Sequence, residues 1–181
     1  MSKPLIGTLQ TVPAKERPDL LAEPVWATLS ARPEAEVYVA EIDPTLADTA
    51  QFCAAYGVPP EISANCVVVA GRRAGEQRVA ACMVLATTRA DVNNVVKRHL
   101  DVRKASFLPM EEAVVATGME YGGITPIGLP ADWPVLVDAV VADLQYAVIG
   151  SGVRRSKLAL PGSTLASLPG AEIVDGLGRP A

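Results

Sequence analysis

A glycine-rich segment is the part of this sequence best suited to chemistry by main-chain groups. The thirteen residues from Thr117 to Leu129 contain four glycines and one proline. Glycine lets a loop adopt positive φ and lets another group approach the main chain closely, while proline fixes φ and removes one N–H donor. Such a loop can present its own N–H groups to an oxyanion or a phosphate. The centre of the segment consists of Gly122, Gly123, Ile124, Thr125 and Pro126.

Two further positions follow predicted strands and are candidates to join this loop. Asp138 ends an apolar run, where its carboxylate could orient a hydroxyl, an amine or a water. Gly150, Ser151 and Gly152 follow another strand and offer additional N–H groups. The alternative interpretation is that the glycines form tight turns and that Asp138 caps one of them. Spacing alone leaves both interpretations open.

The distribution of cysteine and histidine disfavours metal-dependent and thiol-dependent chemistry. Cys53, Cys66 and Cys82 are far apart, and each lies among apolar residues. They lack the spacing of a zinc site and are interpreted as small buried hydrophobic side chains. A cysteine-dependent hydrolase would also need a histidine partner, and the single histidine, His99, lies on the apolar stripe of a predicted helix. We therefore predict no metal and no other cofactor.

Charge and hydropathy limit the kinds of partner. The net charge of −4 argues against general nucleic-acid binding, although a local basic patch is compatible with it. No run of about 18 apolar residues and no hydrophobic leader is present, so we predict a cytoplasmic protein without a membrane span. Three basic clusters are candidate patches, with solvated surface charge as the alternative. They are Arg72 with Arg73 and Arg78, Lys97-Arg98-His99 with Arg103-Lys104, and Arg154-Arg155 with Lys157.

Hydrophobic periodicity and turn residues predict strands in clusters rather than in regular alternation with helices. Strands are predicted over 36–42, 66–70, 78–86, 135–137, 146–149, 157–160 and 172–174, and helices over 44–56, 90–100, 109–117 and 163–168. This order favours an α+β domain with a mixed, strongly curved sheet over a doubly wound fold. The five prolines of residues 1–33 indicate an N-terminal extension packed on a domain formed by residues 34–181.

Five segments occur in an order and at a spacing that are similar to one known family. They are Lys104–Phe107, Glu111–Gly118, Tyr121–Leu129, Pro134–Asp138 and Gly150–Gly152. Together they resemble the YbaK/prolyl-tRNA synthetase-associated domain family, and the similarity extends from about Val37 to Leu168. The segment that ends at Leu129 is its specific part.

The resemblance implies a fold, an activity and partners. The fold would be α+β, with a mixed, barrel-like curved sheet and peripheral helices. The activity would be hydrolysis in trans of the ester in mischarged tRNA, often tRNA for proline, in a pocket shaped by the G-x-x-x-P loop from Gly122 to Pro126. Partners would be mischarged tRNA and, as further options, an aminoacyl-tRNA synthetase or a second copy in a homodimer.

One feature of the family is absent from this chain. Family members that deacylate usually carry a lysine at the start of the strand predicted over 66–70. Depending on a one-residue choice of alignment, Ala64 or Asn65 stands there, and neither is cationic. Asn65 could orient a water or a carbonyl, while Lys157 or Arg154 could supply a cation from a neighbouring strand.

Two hypotheses follow from the resemblance. In the first, the protein is a hydrolase in which Asn65, Gly123 and Asp138 take part in catalysis. The substrate would contact Tyr38, Ala64, Gly122, Ile124, Thr125, Pro126, Gly150, Ser151 and Gly152. In the second, the protein is a noncatalytic member that binds an amino acid, an aminoacyl-tRNA end or a synthetase, because the family lysine is missing.

Overall fold

Runs of Val, Ala, Cys and Leu form the central strands of the protein, whose residues 2–181 are described by a computed structural model. The strands are β1 (Val12–Pro13), β2 (Tyr38–Glu41), β3 (Ala64–Arg73), β4 (Glu76–Leu85), β5 (Thr88–Ala90), β6 (Ala105–Phe107), β7 (Val135–Asp138), β8 (Ala147–Gly150), β9 (Ser156–Leu160), β10 (Ala171–Val174) and β11 (Gly178–Pro180). The helices are α1 (Glu23–Ser30), α2 (Thr49–Tyr56), α3 (Lys97–Leu100), α4 (Met110–Thr117), α5 (Ala139–Ala142) and α6 (Gly162–Ala166), and a π-helical turn at Val92–Val96 leads into α3.

The largest sheet is mixed and has five strands in the order β10-β7-β4-β3-β6. Its centre is the antiparallel hairpin of β3 and β4, joined by the two residues Ala74 and Gly75, which both have positive φ. This geometry matches the right-handed twist of the two strands. β7 pairs in parallel with both β4 and β10, which makes the sheet mixed.

A second sheet is antiparallel, with the order β1-β2-β9-β8, and a third contains only β11 and β5. Within residues 2–181, one isolated parallel bridge, between Ser63 and Val148, connects the two larger sheets. The predicted α+β class is confirmed. A single barrel-like sheet is not confirmed, because β3 pairs with β4 along its length and with β6 at Val69–Gly71, and does not continue into β8.

The helix predicted over 44–56 is divided in two. Pro44–Leu46 forms a 3₁₀ turn, and α2 begins only at Thr49. The Asp43 carboxylate accepts a hydrogen bond from the Thr45 N–H at 2.9 Å, so it caps the 3₁₀ turn rather than a long helix. Gly57 ends α2 in the left-handed conformation with φ of 63°, immediately after the helix end predicted at residue 56.

The N-terminal segment packs into the main core. Leu20, Leu21 and Val25 are buried in the largest hydrophobic cluster of the described residues, and β1 extends the antiparallel sheet by pairing with β2. The division of the chain at residue 33 stays a prediction. The segment also contacts the polar loop after β8, because a Cβ at Gly152 would lie 2.3 Å from the Ala22 Cβ.

Candidate active site

An open pocket of about 530 Å³ lies where the two larger sheets separate. Its floor includes the first half of β3, whose edge away from β4 has no strand partner before Val69, and the end of β8. The main-chain groups along such an edge are available to a ligand. The wall residues include Phe52, Ala64, Asn65, Val68, Phe107, Met110, Tyr121, Gly122, Ile124, Ile149, Gly150 and Lys157.

Both candidate positions for the family lysine line this pocket. Ala64 is buried, and Asn65 is half-buried. The Thr49 hydroxyl donates a hydrogen bond of 2.7 Å to Asn65 Oδ1. The amide oxygen of Asn65 is therefore engaged, while its Nδ2 has no partner among the described residues. Asn65 can thus donate hydrogen bonds to a bound carbonyl or water.

Lys157 supplies a cation inside the pocket. It lies on β9 in register with Gly150 of β8 and is 8% exposed. Its Nζ donates a 2.9 Å hydrogen bond to the Ala47 carbonyl and lies 5.1 Å from the centroid of the Phe52 ring. No carboxylate of residues 2–181 lies within salt-bridge distance of Nζ. Two of its three protons are therefore without a protein partner.

The environment of Lys157 opposes its charge. Burial lowers the pKa of the ammonium below its ordinary value, and the nearby guanidinium of Arg154 lowers it further, while Cys53 and Asp48 act in the opposite direction. Gly150, in register opposite Lys157, lines the same pocket.

Arg154 stands at the rim of the pocket. Its Nη1 lies 3.4 Å from Asp48 Oδ1 and donates to the Tyr121 carbonyl at 3.4 Å, and its Nε donates to the Pro44 carbonyl at 3.3 Å. These contacts tie the residues before α2 to the glycine-rich segment Thr117–Leu129, here called the glycine loop. Arg154 therefore positions the loop and adds a half-exposed positive charge to the pocket entrance.

The glycine loop contributes to the pocket through Gly122 and Ile124 rather than through Gly123. The Gly123 N–H donates to the Glu120 carbonyl at 3.0 Å, and its own carbonyl accepts from the Gly152 N–H at 2.7 Å. The N–H groups of Gly122 and Ile124 have no hydrogen-bond partner within the described chain. They, and not Gly123, are the main-chain donors available to an oxyanion.

Gly123 instead has a packing function. A Cβ added there would lie 2.8 Å from the carbonyl carbon and oxygen of Val153, and one at Gly150 would lie 2.6 Å from the Gly123 oxygen. Real Cβ atoms do not come this close to a main chain. Gly123 and Gly150 thus allow the glycine loop to lie directly against the loop between β8 and β9.

Two predicted polar residues lie outside the pocket lining. Asp138 is buried at the end of β7, and its Oδ2 accepts from the Gly178 N–H at 2.8 Å, which attaches the C-terminal strand. Ser151 is also buried, and its hydroxyl accepts from the Ser156 hydroxyl at 2.7 Å within the loop between β8 and β9. Both side chains form hydrogen bonds that hold parts of the fold together, and neither lines the pocket.

The other predicted substrate contacts also surround the pocket rather than line it. Gly152, with φ of 91°, takes part in the turn beside Gly123. Tyr38 packs edge-to-face on Tyr146 with ring centroids 6.3 Å apart. Thr125 and Pro126 are buried behind Ile124, and Thr125 Oγ1 has no hydrogen-bond partner among the described residues.

Neither Cys66 nor Cys82 is poised as a nucleophile. Cys66 lines the pocket, but burial raises the pKa of its thiol far above its ordinary value, and the neighbouring Cys82 adds to the shift. Burial likewise raises the pKa of Cys82 to about 12. The reactive thiolate is thereby disfavoured at neutral pH. Within residues 2–181, no three side chains of His, Cys, Asp or Glu form a group that could hold a metal ion.

Comparison with known families relates this pocket to one activity class. The sequence matches the family described as aminoacyl-tRNA editing domain over residues 43–168, which includes every pocket residue named above. The chain belongs to the aminoacyl-tRNA editing domain family. The predicted resemblance is thus confirmed, and the first two strands and the final two strands of this editing domain lie outside the matched region.

Solved structures share the fold of this editing domain at low sequence identity. The hypothetical protein APE2540 aligns with a TM-score of 0.75 and 22% identity, covering 87% of this chain and 100% of its own. A candidate trans-editing enzyme for prolyl-tRNA synthetase aligns with a TM-score of 0.72 and 21% identity, covering 87% of this chain and 96% of its own. A scaffold protein used for computational epitope grafting aligns with a TM-score of 0.71 and 19% identity, covering 88% of this chain and 97% of its own.

The helices of the editing domain and the position of Lys157 can be compared with what the sequence predicts. None of the helices formed by residues 2–181 has both the length and the apolar composition needed to cross a bilayer. Lys157 lines the pocket, whereas the sequence indicated it only as one of two possible cations from a neighbouring strand. Its signal was a lone lysine in the otherwise apolar strand Ser-Lys-Leu-Ala-Leu, which becomes informative once β9 is known to pair with β8.

Proposed function

We propose that this editing domain hydrolyses the ester of mischarged tRNA in trans. The observation that carries the proposal is Lys157, a buried lysine that opens into the pocket without a carboxylate partner among the described residues. Burying a charge without a counter-ion costs folding free energy, so such a lysine is best explained by an anionic or polarised group that it meets in a complex.

The pocket is suitable in size and lining for an aminoacyl group. Its volume of about 530 Å³ lies within the range of about 300–1,000 Å³ that is typical of small-molecule sites. Phe52, Val68 and Ile149 provide apolar walls for a small side chain. The terminal nucleoside would lie toward the entrance near Tyr121. Selection would then depend mainly on the size of the amino-acid side chain.

The reaction needs little from the protein because an aminoacyl ester is already activated. Water adds to the carbonyl carbon, and the N–H groups of Gly122 and Ile124 stabilise the developing oxyanion together with Lys157. The bond from carbonyl carbon to ribose oxygen then breaks, and the ribose oxygen takes up the proton that the water releases. Asn65 Nδ2 orients the carbonyl or the water, and the vicinal ribose hydroxyl can relay the proton.

The proposed site differs from the one expected from sequence. Lys157 replaces the absent family lysine as the cation, and Gly122 and Ile124 replace Gly123 as main-chain donors. Asn65 is retained. Asp138 and Ser151 are assigned to the fold. A candidate trans-editing enzyme for prolyl-tRNA synthetase shares the fold, so tRNA for proline is the first substrate we propose, in the cytoplasm where it is charged.

The second candidate function is noncatalytic binding of an amino acid or an aminoacyl-tRNA end. It is favoured by the neutral residues at both candidate lysine positions, Ala64 and Asn65. In that case the pocket would hold the ligand while water remained unactivated. The two functions share a ligand class and differ in turnover.

The test is deacylation of a panel of mischarged tRNAs that includes alanyl- and cysteinyl-tRNA for proline, measured against spontaneous hydrolysis. We expect one small amino acid to be released at least tenfold faster than in buffer, and Asn65→Ala to reduce this rate. Gln145→Ala, which removes an exposed amide side chain outside the pocket lining, is the matched control. If no substrate turns over while calorimetry detects binding, the noncatalytic function replaces the proposal.

A further inference from the structure

A second concavity, here called the basic groove, lies beside the pocket and has a volume of about 890 Å³. It is bounded by the far end of β3, the π-helical turn with the start of α3, and β6. Four cations line it, namely Arg72, Lys97, Arg103 and Lys104, and Glu112 is the one acidic residue in its lining.

The cations of the groove have no carboxylate partner among the described residues, whereas neighbouring basic residues form salt bridges. Arg73 Nη1 lies 2.5 Å from Asp101 Oδ1, and Arg78 Nη1 lies 3.4 Å from Asp101 Oδ2. In contrast, none of the four groove cations forms a salt bridge within residues 2–181. A protein of net charge −4 therefore concentrates unpaired positive charge in one groove. Such a surface attracts a polyanion.

The groove is continuous with the pocket. Phe107 and Leu108 line both concavities, and β6, which carries Phe107, is the edge strand of the large sheet. Phe107 is 59% exposed, and two further large residues at the pocket entrance, Met110 and Tyr121, are 51% and 58% exposed. Exposed aromatic rings beside a cationic channel are the features with which proteins hold single-stranded nucleic acid.

We propose that the basic groove binds the phosphate backbone of the 3′-terminal strand of tRNA, with Phe107 stacking against a base where the groove meets the pocket. This inference rests on the proposed function, because it places the strand so that its esterified end enters the pocket. The backbone would follow Lys97, Arg103 and Lys104 toward Phe107. Affinity would come from phosphate contacts and would not depend on the amino acid.

Binding of an uncharged RNA minihelix with a single-stranded 3′ terminus tests the groove independently of hydrolysis. Fluorescence anisotropy across a salt series would give the affinity and its salt slope. Lys97→Glu should weaken binding about tenfold and lower the slope by about 1. Arg98→Glu is the matched control, because Arg98 is the next residue of α3 and lies outside the groove lining. It should change the affinity less than about twofold.

Stacking is tested with Phe107→Ala. The affinity should fall roughly five- to a hundredfold with an unchanged salt slope. Ile173→Ala removes an equally exposed apolar side chain, also 59% exposed, from the opposite edge of the sheet and should have no effect. Thermal melts of each variant check that these surface changes leave the fold intact.

The outcomes separate the groove from the proposed function. If the minihelix binds and the groove variants weaken it, the groove stands even when no mischarged tRNA is deacylated. The Lys97→Glu variant should also hydrolyse a short aminoacyl-nucleoside ester at the wild-type rate, because that substrate has no backbone to bind and Lys97 lies outside the pocket lining. Wild-type failure to bind RNA, or equal effects of Lys97→Glu and Arg98→Glu, would overturn the groove inference alone.

Discussion

The pocket and the basic groove hold their positive charges in opposite ways. In the pocket, Lys157 is buried, has one protein acceptor and has its pKa lowered by burial. In the groove, the cations Arg103 and Lys104 are exposed to solvent. A buried charge costs stability but acts strongly at short range, while an exposed charge costs little and is screened by salt.

This difference predicts how each region responds to mutation. A single change in the pocket should have a large effect on turnover and an opposite effect on stability, because the protein folds in spite of Lys157 rather than because of it. Changes in the groove should be smaller, should add to one another and should leave stability unaltered. The following predictions test whether the two regions really separate in this way.

The largest effect is expected from Lys157→Met, which removes the pocket cation and keeps most of the side-chain volume. Loss of a charge-assisted hydrogen bond corresponds to about 1.5–3 kcal/mol, so kcat/KM for deacylation should fall about ten- to a hundredfold. The free energy of unfolding should rise by about 1 kcal/mol at neutral pH. Steady-state kinetics and urea denaturation measure the two quantities.

Lys15→Met is the matched control, because Lys15 is exposed and lies outside both the pocket and the groove. It should alter neither quantity. A Lys157→Met variant that loses stability without losing turnover would make Lys157 a structural residue and would remove the contrast between the two regions.

Some local features of the fold and of the pocket were predictable from the sequence. The helix ends predicted at residues 56 and 117 are confirmed, and the glycines that follow them, Gly57 and Gly118, have positive φ, since the signal for a helix end is contained in a few adjacent residues. The loop around Gly122 was predicted to contribute to a site for the same local reason. Gly122 and Ile124 line the pocket, and their part in a functional site stays a prediction.

What could not be predicted depends on contacts between distant residues. Asp138 meets the Gly178 N–H forty positions later, and Lys157 faces the pocket because β9 pairs in register with β2 and β8. Hydrophobic periodicity identifies strands but not their partners, so it could not assign Asp138 to the fold or Lys157 to the site. The division between pocket and groove along β6 also depends on strand pairing and could not be predicted.

The second-largest effect is expected at the contact between the glycine loop and the loop that joins β8 to β9. Gly123→Ala would place a Cβ 2.8 Å from the Val153 main chain, so the glycine loop must shift away from the loop between β8 and β9. We expect a loss of about 1–3 kcal/mol in the free energy of unfolding and a fall of about tenfold in kcat/KM, since Gly122 and Ile124 move with the loop.

Gly162→Ala is the control, because it introduces steric strain outside the pocket. Gly162 is the first residue of α6 and lies outside the pocket lining. A Cβ there would lie 2.3 Å from the Val141 carbonyl oxygen. It should destabilise the protein at least as much while leaving the kcat/KM of the folded protein unchanged. Equal losses of turnover in both variants would show that activity follows stability and not the position of the glycine loop.

The smallest effect is the pH dependence of stability that Lys157 imposes. Its pKa in the folded protein is lowered by burial, whereas in the unfolded chain it returns to about 10.4. Between these two values the unfolded chain holds a proton that the folded protein has released, so wild-type stability rises with pH relative to Lys157→Met. The stability deficit of the wild type is therefore full below the folded-state pKa of Lys157 and should disappear above about pH 10.4. Urea denaturation of both proteins between these limits measures it, and parallel curves for the two would mean that the pocket tolerates the Lys157 charge as easily as the groove tolerates its own.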